Sequence, residues 1–478
     1  MSMSSRNEAL TITTGSEQPS GSSGYSWVVL LLAGALLPIV LAYSLSTGNE
    51  MQVAAAVVGL LGLLAVVARP FWGLIFFVAL LYTRPEEMIP ALAGMRLTLV
   101  ISVSTLVGML IQFALDREQF VRSPSNLTVL GFGAVTIFST LVGGDMVTAV
   151  QDVGKLVILV LLVVNLARTP ERYRSLITAL LIFSCYLALF SIYRYFTGQT
   201  ITQDNIERSQ ATGIFGDPND LAEAICGGLA LALPRAAANK GWLRYLYAGM
   251  AVLFVTAIFY TNSRGGMLAL VVVGGAFFLL LVPQKVIAAG CAAVLAFGLL
   301  TFGPSRMTTF DSTEASANQR FWYWDTGVKL LTERPLSGVG YSQFPEYNDG
   351  RTAHNSFVLC FAELGLPGYF FWIGTIFYCF RRHPKDADEE LDPVMQWELQ
   401  GARLAVVGFL VAGFFLSRTY VPVLYLLVSL PIAAQIAMRR KNRAFPLTGQ
   451  QLMRDCGSIV LICIGSIIFI EAMAQHYK

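Results

Sequence analysis

Charge is scarce in this 478-residue chain: Asp, Glu, Lys and Arg make up 13% of it, where a soluble globular protein carries about 25%. With 55% hydrophobic residues and a mean hydropathy of +0.61, that shortage excludes a soluble domain. The excess of bases is small, 33 Lys and Arg against 30 Asp and Glu, and it is dispersed. Nucleic acid, which requires a clustered basic face, is therefore set aside. The chain has no CxxC pair. Its seven cysteines (Cys185, Cys226, Cys291, Cys360, Cys379, Cys456 and Cys463) are odd in number and lie mostly in apolar runs, so they read as packing residues rather than a disulfide frame or zinc site. No Walker loop, dinucleotide fingerprint or HExxH occurs, which leaves ATP-driven, redox and zinc-protease chemistry without support. Histidine is limited to His354, His383 and His476.

What the chain does contain is apolar runs of membrane length. A bilayer core about 30 Å thick needs roughly 20 apolar residues per helix. Such runs fall near 27–45, 51–68, 71–82, 97–115, 127–142, 148–167, 176–197, 219–234, 244–262, 266–283, 285–303, 355–380, 402–418, 419–438 and 456–472. The third is short, and the thirteenth and fourteenth nearly abut. The fold expected is an all-α, polytopic integral membrane bundle of about 12–15 transmembrane helices. Residues 1–26, with eight Ser, three Thr and three Gly and Arg6 as the one base, read as a disordered tail. Without a positive n-region or a prompt cleavage site they make a poor signal peptide, so the first apolar run is expected to stay in the membrane. Residues 304–353 form the one long polar connection, and function is expected there.

Cytoplasmic loops are enriched in Lys and Arg. With the tail inside, alternate loops place 20 of the bases on the cytoplasmic side and 12 on the outer side. The long loop, Arg208, Arg264 and His354 then share the outer face. Bases on that side run against the topological bias and need another reason to be there.

Four segments supply it. In the loop Arg208 to Asn219, Asp217 is expected to cap a helix that begins at Pro218, aiming a helix N-terminus, which favours phosphate, at the outer surface. Read alone, this is equally a plain capped loop with a solvated arginine. Thr261 to Gly266 sets Arg264 at a helix junction beside two glycines that permit close backbone approach; alone, Arg264 is equally a snorkelling side chain. In the third segment Phe321, Trp324, Val328 and Leu331 form one stripe of an amphipathic helix that is expected to lie on the membrane surface and carry Arg320 above the headgroups. Pro335, Gly338 and Gly340 end it. The fourth runs from His354-Asn355 into the membrane past Glu363, Gly365 and Gly368. His354 is the sole candidate in this cluster for a general base near neutral pH, although a lone interfacial histidine is more often structural.

The pattern His354-Asn355, nine residues, Gly365, two residues, Gly368 resembles the signature of the bacterial O-antigen ligase family. The loop Arg208, Gly213, Asp217-Pro218-Asn219, the turn Ser263 to Gly266, and the run Arg320, Trp324, Pro335, Gly338, Gly340 resemble the rest of its framework, over roughly residues 200–380. The superfamily also contains O-antigen polymerases and protein O-oligosaccharyltransferases. The resemblance implies an inner-membrane glycosyltransferase that takes a glycan from undecaprenyl diphosphate on the periplasmic face, without metal or cofactor. The glycan passes to a hydroxyl of an acceptor glycan, glycolipid or protein. The chain is expected to divide into a disordered tail (1–26), N-terminal helices that match no motif of the family (27–195), the ligase-like core with its periplasmic loop that the resemblance implies (196–380) and C-terminal helices (381–478).

That chemistry suits the residues. Breaking a sugar–diphosphate bond concentrates negative charge on the leaving group, and guanidinium groups grip phosphate in a two-pronged way. Arg208, Arg264 and Arg320 are expected to do this, with Asp217, Asn219, Trp324 and Asn355 lining the substrate site. His354 takes the acceptor proton, and direct displacement inverts the anomeric centre. Glu363 is expected to stand behind the site, pairing with a buried base. Asp386-x-Asp388 has a metal-binding spacing but lies in a mixed-charge cytoplasmic loop, and Asp152 and Lys155 are expected to pair within one helix. A lipid-linked glycan transporter is the alternative of another class; it has no need of the long outer loop, and no inverted repeat is visible.

Overall fold

The computed structural model describes residues 50–115, 120–203, 205–281, 284–287, 289–290, 293–294, 298, 315–381, 392–439 and 448–476. The expected tail, the run at 27–45, most of that at 285–303, His383 and the Asp386/Asp388 pair lie outside them. Within them the chain is a bundle of α-helices: α1 (Glu50–Ala68), α2 (Pro70–Thr83), α3 (Leu97–Leu115), α4 (Pro124–Ser139), α5 (Met146–Leu166), α6 (Pro170–Phe196), α7 (Pro218–Ala238), α8 (Trp242–Tyr260), α9 (Arg264–Leu281), α10 (Ala315–Glu333), α11 (Ser356–Phe380), α12 (Pro393–Gly413), α13 (Pro422–Ala437) and α14 (Gly449–His476). Eight of these are long and apolar enough to cross a membrane, and α13 is shorter but equally apolar. The protein is a multi-pass membrane protein, as its hydropathy requires.

The helix starts follow from local chemistry. Proline opens α2, α4, α6, α7, α12 and α13, where its missing N–H costs nothing. Asp145, Thr169, Asp217, Asn355 and Asp392 cap their helices by accepting first-turn N–H groups. The helices α7 and α11 are the most enclosed of the spans, whereas α8 and α14 leave most of their apolar surface open, as lipid-facing helices do. The α7 helix packs on α8 and α12, and α11 packs on α4, α10 and α14.

The two ends of the bundle differ in kind. At one end Arg235 binds Glu398 at 2.8 Å with both side chains buried, Arg174 pairs with Asp392, and Arg381 binds Asp455 at 2.7 Å. At the other end lie the starts of α7, α9 and α11 and, between α6 and α7, a two-stranded hairpin, β1 (Ile201–Gln203) and β2 (Ile206–Arg208), in which Thr202 faces Glu207. Arg208, Arg264 and His354 lie at that second end, and the charge of Arg320 reaches His354 there. Asp152 and Lys155 pair at 3.0 Å as expected, and Asp152 also accepts from the Tyr341 hydroxyl at 3.3 Å.

The amphipathic stripe of α10 is buried, but not in lipid. Trp324 is 2% exposed and meets the ring of Phe414 at 5.2 Å, and the helix lies on α11 and α14. Amphipathicity announces that a face is covered without saying by what, and here the cover is protein. After α10, the strap Pro335 to Gly340 docks into a kink of α11. Gly365 breaks that helix with φ +64°, and Leu366 N–H donates to Pro335 O at 2.7 Å. Val339 and Gly340 N–H groups reach the carbonyls of Ala362 and Glu363, both at 3.0 Å. A Cβ on Gly338 would lie 2.2 Å from the Glu363 carbonyl at φ +63°, so backbone crosses backbone where only glycine fits. Gly338→Ala is expected to destabilise the protein by more than about 1 kcal/mol. Gly457→Ala, in α14 with open space around it, is expected to be neutral or better. Thermal midpoints of the two variants in detergent check this.

Candidate functional site

Arg208 is the knot of the first cluster. It is only 2% exposed, so it is not a solvated arginine. Its Nε donates to Thr261 O at 3.0 Å, its Nη1 to Gln203 Oε1 at 2.6 Å and its Nη2 to Asn219 Oδ1 at 2.9 Å. The same Asn219 oxygen accepts from Ser263 Oγ at 2.7 Å. Two of the sequence segments, 208–219 and 261–266, are thus tied through Arg208 and Asn219, with most of the Arg208 fork spent inside the protein. Asp217 caps α7 as expected, accepting from Asn219 N–H at 2.7 Å.

The start of α7 is, however, already acidic: Asp217 caps it and Asp220 lies in its first turn. Two carboxylates occupy the positive end that the sequence offered to phosphate. The start of α9 is different. Arg264, Gly265 and Gly266 form its first turn, no acid is present, and Gly266 N–H is held by Ser263 Oγ at 3.2 Å. Of the two junctions, this is the better match to an anion. Arg264 is half-buried there and engaged with its surroundings.

His354 immediately precedes the cap of α11. Its backbone is left-handed, φ +48°, a conformation uncommon for a side chain other than glycine and concentrated at functional positions. Its ring stacks on Tyr323 of α10, centroids 6.1 Å apart. Partial burial, followed by the positive charges of Arg320, Arg418 and Arg351, holds the imidazole below the ordinary histidine range, with Asp217 opposing them. A neutral imidazole is what a proton acceptor requires. Asn355 places its Oδ1 on the N–H groups of Phe357 and Val358 at 2.9 and 3.2 Å. Its buried Nδ2 has no hydrogen-bond partner among the described residues, so only the amide N–H2 remains for a ligand.

Arg320, one turn before Trp324 on α10, is half-buried and engaged, and its charge is the strongest felt by His354. Trp324 is enclosed against Phe321 and Phe414, with its indole N–H unpartnered among the described residues. Glu363 is buried, but its partners are the Phe344 N–H at 3.1 Å and the Tyr420 hydroxyl at 2.8 Å rather than a buried base. It anchors the chain beyond the strap to α11 and the α12–α13 turn.

Sequence reasoning passed over Arg418, in the turn between α12 and α13. Its Nε and Nη2 grip the two oxygens of Asp220, Nη2–Oδ2 at 2.7 Å, and Asp217 lies 3.8 Å away. Its main-chain N–H donates to Ser356 Oγ at 2.9 Å. Glu223, buried in the second turn of α7 with Oε1 unpartnered among the described residues, was passed over as well. Among the described residues no group of three or more His, Cys, Asp and Glu is arranged to hold a metal ion.

Residues 249–373 match the family model described as O-antigen ligase. The match takes in Arg264, Arg320, Trp324, His354, Asn355 and Glu363 and leaves the Arg208 loop outside it. It supports the O-antigen ligase superfamily, and with it a membrane enzyme of the ligase or polymerase type. No curated protein matches the chain.

Proposed function

We propose that the protein transfers a glycan from undecaprenyl diphosphate to an acceptor hydroxyl, on the periplasmic face of the bacterial inner membrane, by direct displacement with inversion. The observation that carries this is His354, held toward its neutral form beside Arg320 at the end of the bundle where Arg264 opens α9. Arg320 and Arg264 receive the diphosphate, whose charge grows as the sugar–oxygen bond breaks; fixed positive groups aimed at developing charge are usually what lowers an enzyme's barrier most. Arg208 acts behind them, holding Asn219 and the turn that presents Arg264. His354 accepts the proton of the acceptor hydroxyl as that oxygen attacks the anomeric carbon. The Asn355 amide, Trp324 and Asp217 line the substrate region. The periplasmic assignment rests on the distribution of bases, 20 on loops of one side against 12 on the other.

Arginine and histidine supply every charge this scheme needs. Transfer from a lipid diphosphate donor by the purified protein is therefore expected to continue in excess EDTA. Loss of transfer that magnesium or manganese restores would contradict it. The acceptor class is read from a deletion strain, by whether it leaves uncapped lipid A-core, single repeat units or an unglycosylated protein.

A further inference from the structure

The turn between α12 and α13 carries a residue that no sequence segment singled out, yet it touches both halves of the site. Arg418 clasps Asp220 in the first turn of α7 with two prongs, and donates from Nη1 to Ser417 O at 3.0 Å. Its main chain is laced to α11 at the residue two beyond His354. The Arg418 N–H donates to Ser356 Oγ, Ser356 Oγ donates to Leu416 O at 2.6 Å, and Thr419 Oγ1 donates to Ser356 O at 2.7 Å. Gly413 lets this turn approach; a Cβ there would sit 3.2 Å from Ser356 Oγ. Arg418 therefore bridges the capped start of α7 and the His354–Asn355 start of α11.

We infer that Arg418, clamped by Asp220, is a positioning residue for His354: it fixes the start of α11, and with it His354, against the start of α7. The inference rests on the reading of His354 as general base. A lysine keeps the charge but cannot hold both carboxylate oxygens and the turn at once. The other charged groups facing His354 are Arg320 on α10, Arg351 on its own loop and Asp217 at the cap of α7. The Asp325–Lys329 pair lies further along α10, at 2.8 Å, and is internally balanced. The carboxylate clasp that fixes Arg418 also balances its charge, so what Arg418 contributes is position.

With only three histidines in the chain, the test is a histidine titration. The full-length protein, with isotope-labelled histidine, is titrated by NMR in nanodiscs, and the His354 signal is assigned by its loss in His354→Gln. Arg418→Gln removes the charge; because it strands Asp220, the double variant Asp220→Asn/Arg418→Gln provides a neutral pair that does not. In Arg418→Gln, which leaves the Asp220 carboxylate unbalanced, the His354 midpoint should move to higher pH; in the double variant, where a neutral pair replaces a balanced one, and in Arg418→Lys it should stay close to the wild-type value. Turnover near neutral pH should fall in all three, by about tenfold or more for the loss of an oriented base. An unmoved midpoint in Arg418→Gln, or native kcat in the folded double variant or in Arg418→Lys, or a loss confined to donor KM, would overturn the inference. Native turnover in His354→Gln would instead overturn the general-base reading, a separate result, because the NMR midpoint does not depend on catalysis.

Discussion

Replacing His354 by Gln is expected to lower turnover by about 10² to 10⁴ while leaving donor affinity nearly intact. Glutamine preserves hydrogen bonding but cannot take up the proton, so the loss belongs to the chemical step. The pH dependence carries the same signature. A group held below its usual value stays neutral further into acid, so the acid limb of kcat/KM should lie below the ordinary histidine value of about 6.5. Activity should be flat above it, and the limb should vanish in His354→Gln. Should His354→Gln keep native turnover, the histidine is structural and only the arginine half of the scheme survives. Steady-state kinetics across pH 5 to 8, with donor binding measured separately, gives both parts.

The second large effect concerns shape rather than charge. Arg320→Lys and Arg264→Lys leave net charge unchanged, yet each should reduce kcat/KM by about 10²-fold, the usual scale for one preorganised donor at developing negative charge. A lysine ammonium cannot form the paired, coplanar contact that a guanidinium makes with phosphate oxygens. Arg208→Lys should behave differently. The Arg208 fork is engaged with Thr261, Gln203 and Asn219, so its replacement should lower the thermal midpoint along with activity. Transfer rates and melting curves for the three variants distinguish residues that meet substrate from one that holds the frame.

The helices were legible because burying backbone in a bilayer forces long apolar runs, and those runs are written locally. The ends of α3, α8 and α11 fall within two residues of the sequence expectation, and Asp217 and Pro218 marked the start of α7 because capping is a property of neighbours in sequence. What could not be read were facts made by distant parts of the chain meeting. Arg418 and Asp220 are 198 residues apart, and nothing in either neighbourhood names the other. Asp220 also counts against a phosphate at the start of α7, and that was legible in the sequence, because a helix beginning at Pro218 has Asp220 in its first turn. The glycines at 338, 340 and 365 were seen as a pattern and as the end of a helix; their cause is a strap crossing a kinked helix at backbone distance. The stripe on α10 was correct as periodicity, while its cover of α11, α14 and Phe414 was not encoded in it.

On the proposed function, the decisive event is the breaking of the bond between glycan and lipid diphosphate at this site. The direct measurement places purified protein in vesicles with labelled undecaprenyl-diphosphate-linked glycan and acceptor extracted from the same bacterium. The products to follow are free undecaprenyl diphosphate and acceptor-bound label. The wild-type protein should release the lipid diphosphate in step with label reaching acceptor, and the protein carrying both His354→Gln and Arg320→Lys should release none. Glycan that crosses the bilayer still joined to its lipid, with no lipid diphosphate released, would contradict the transferase reading and make the protein a transporter.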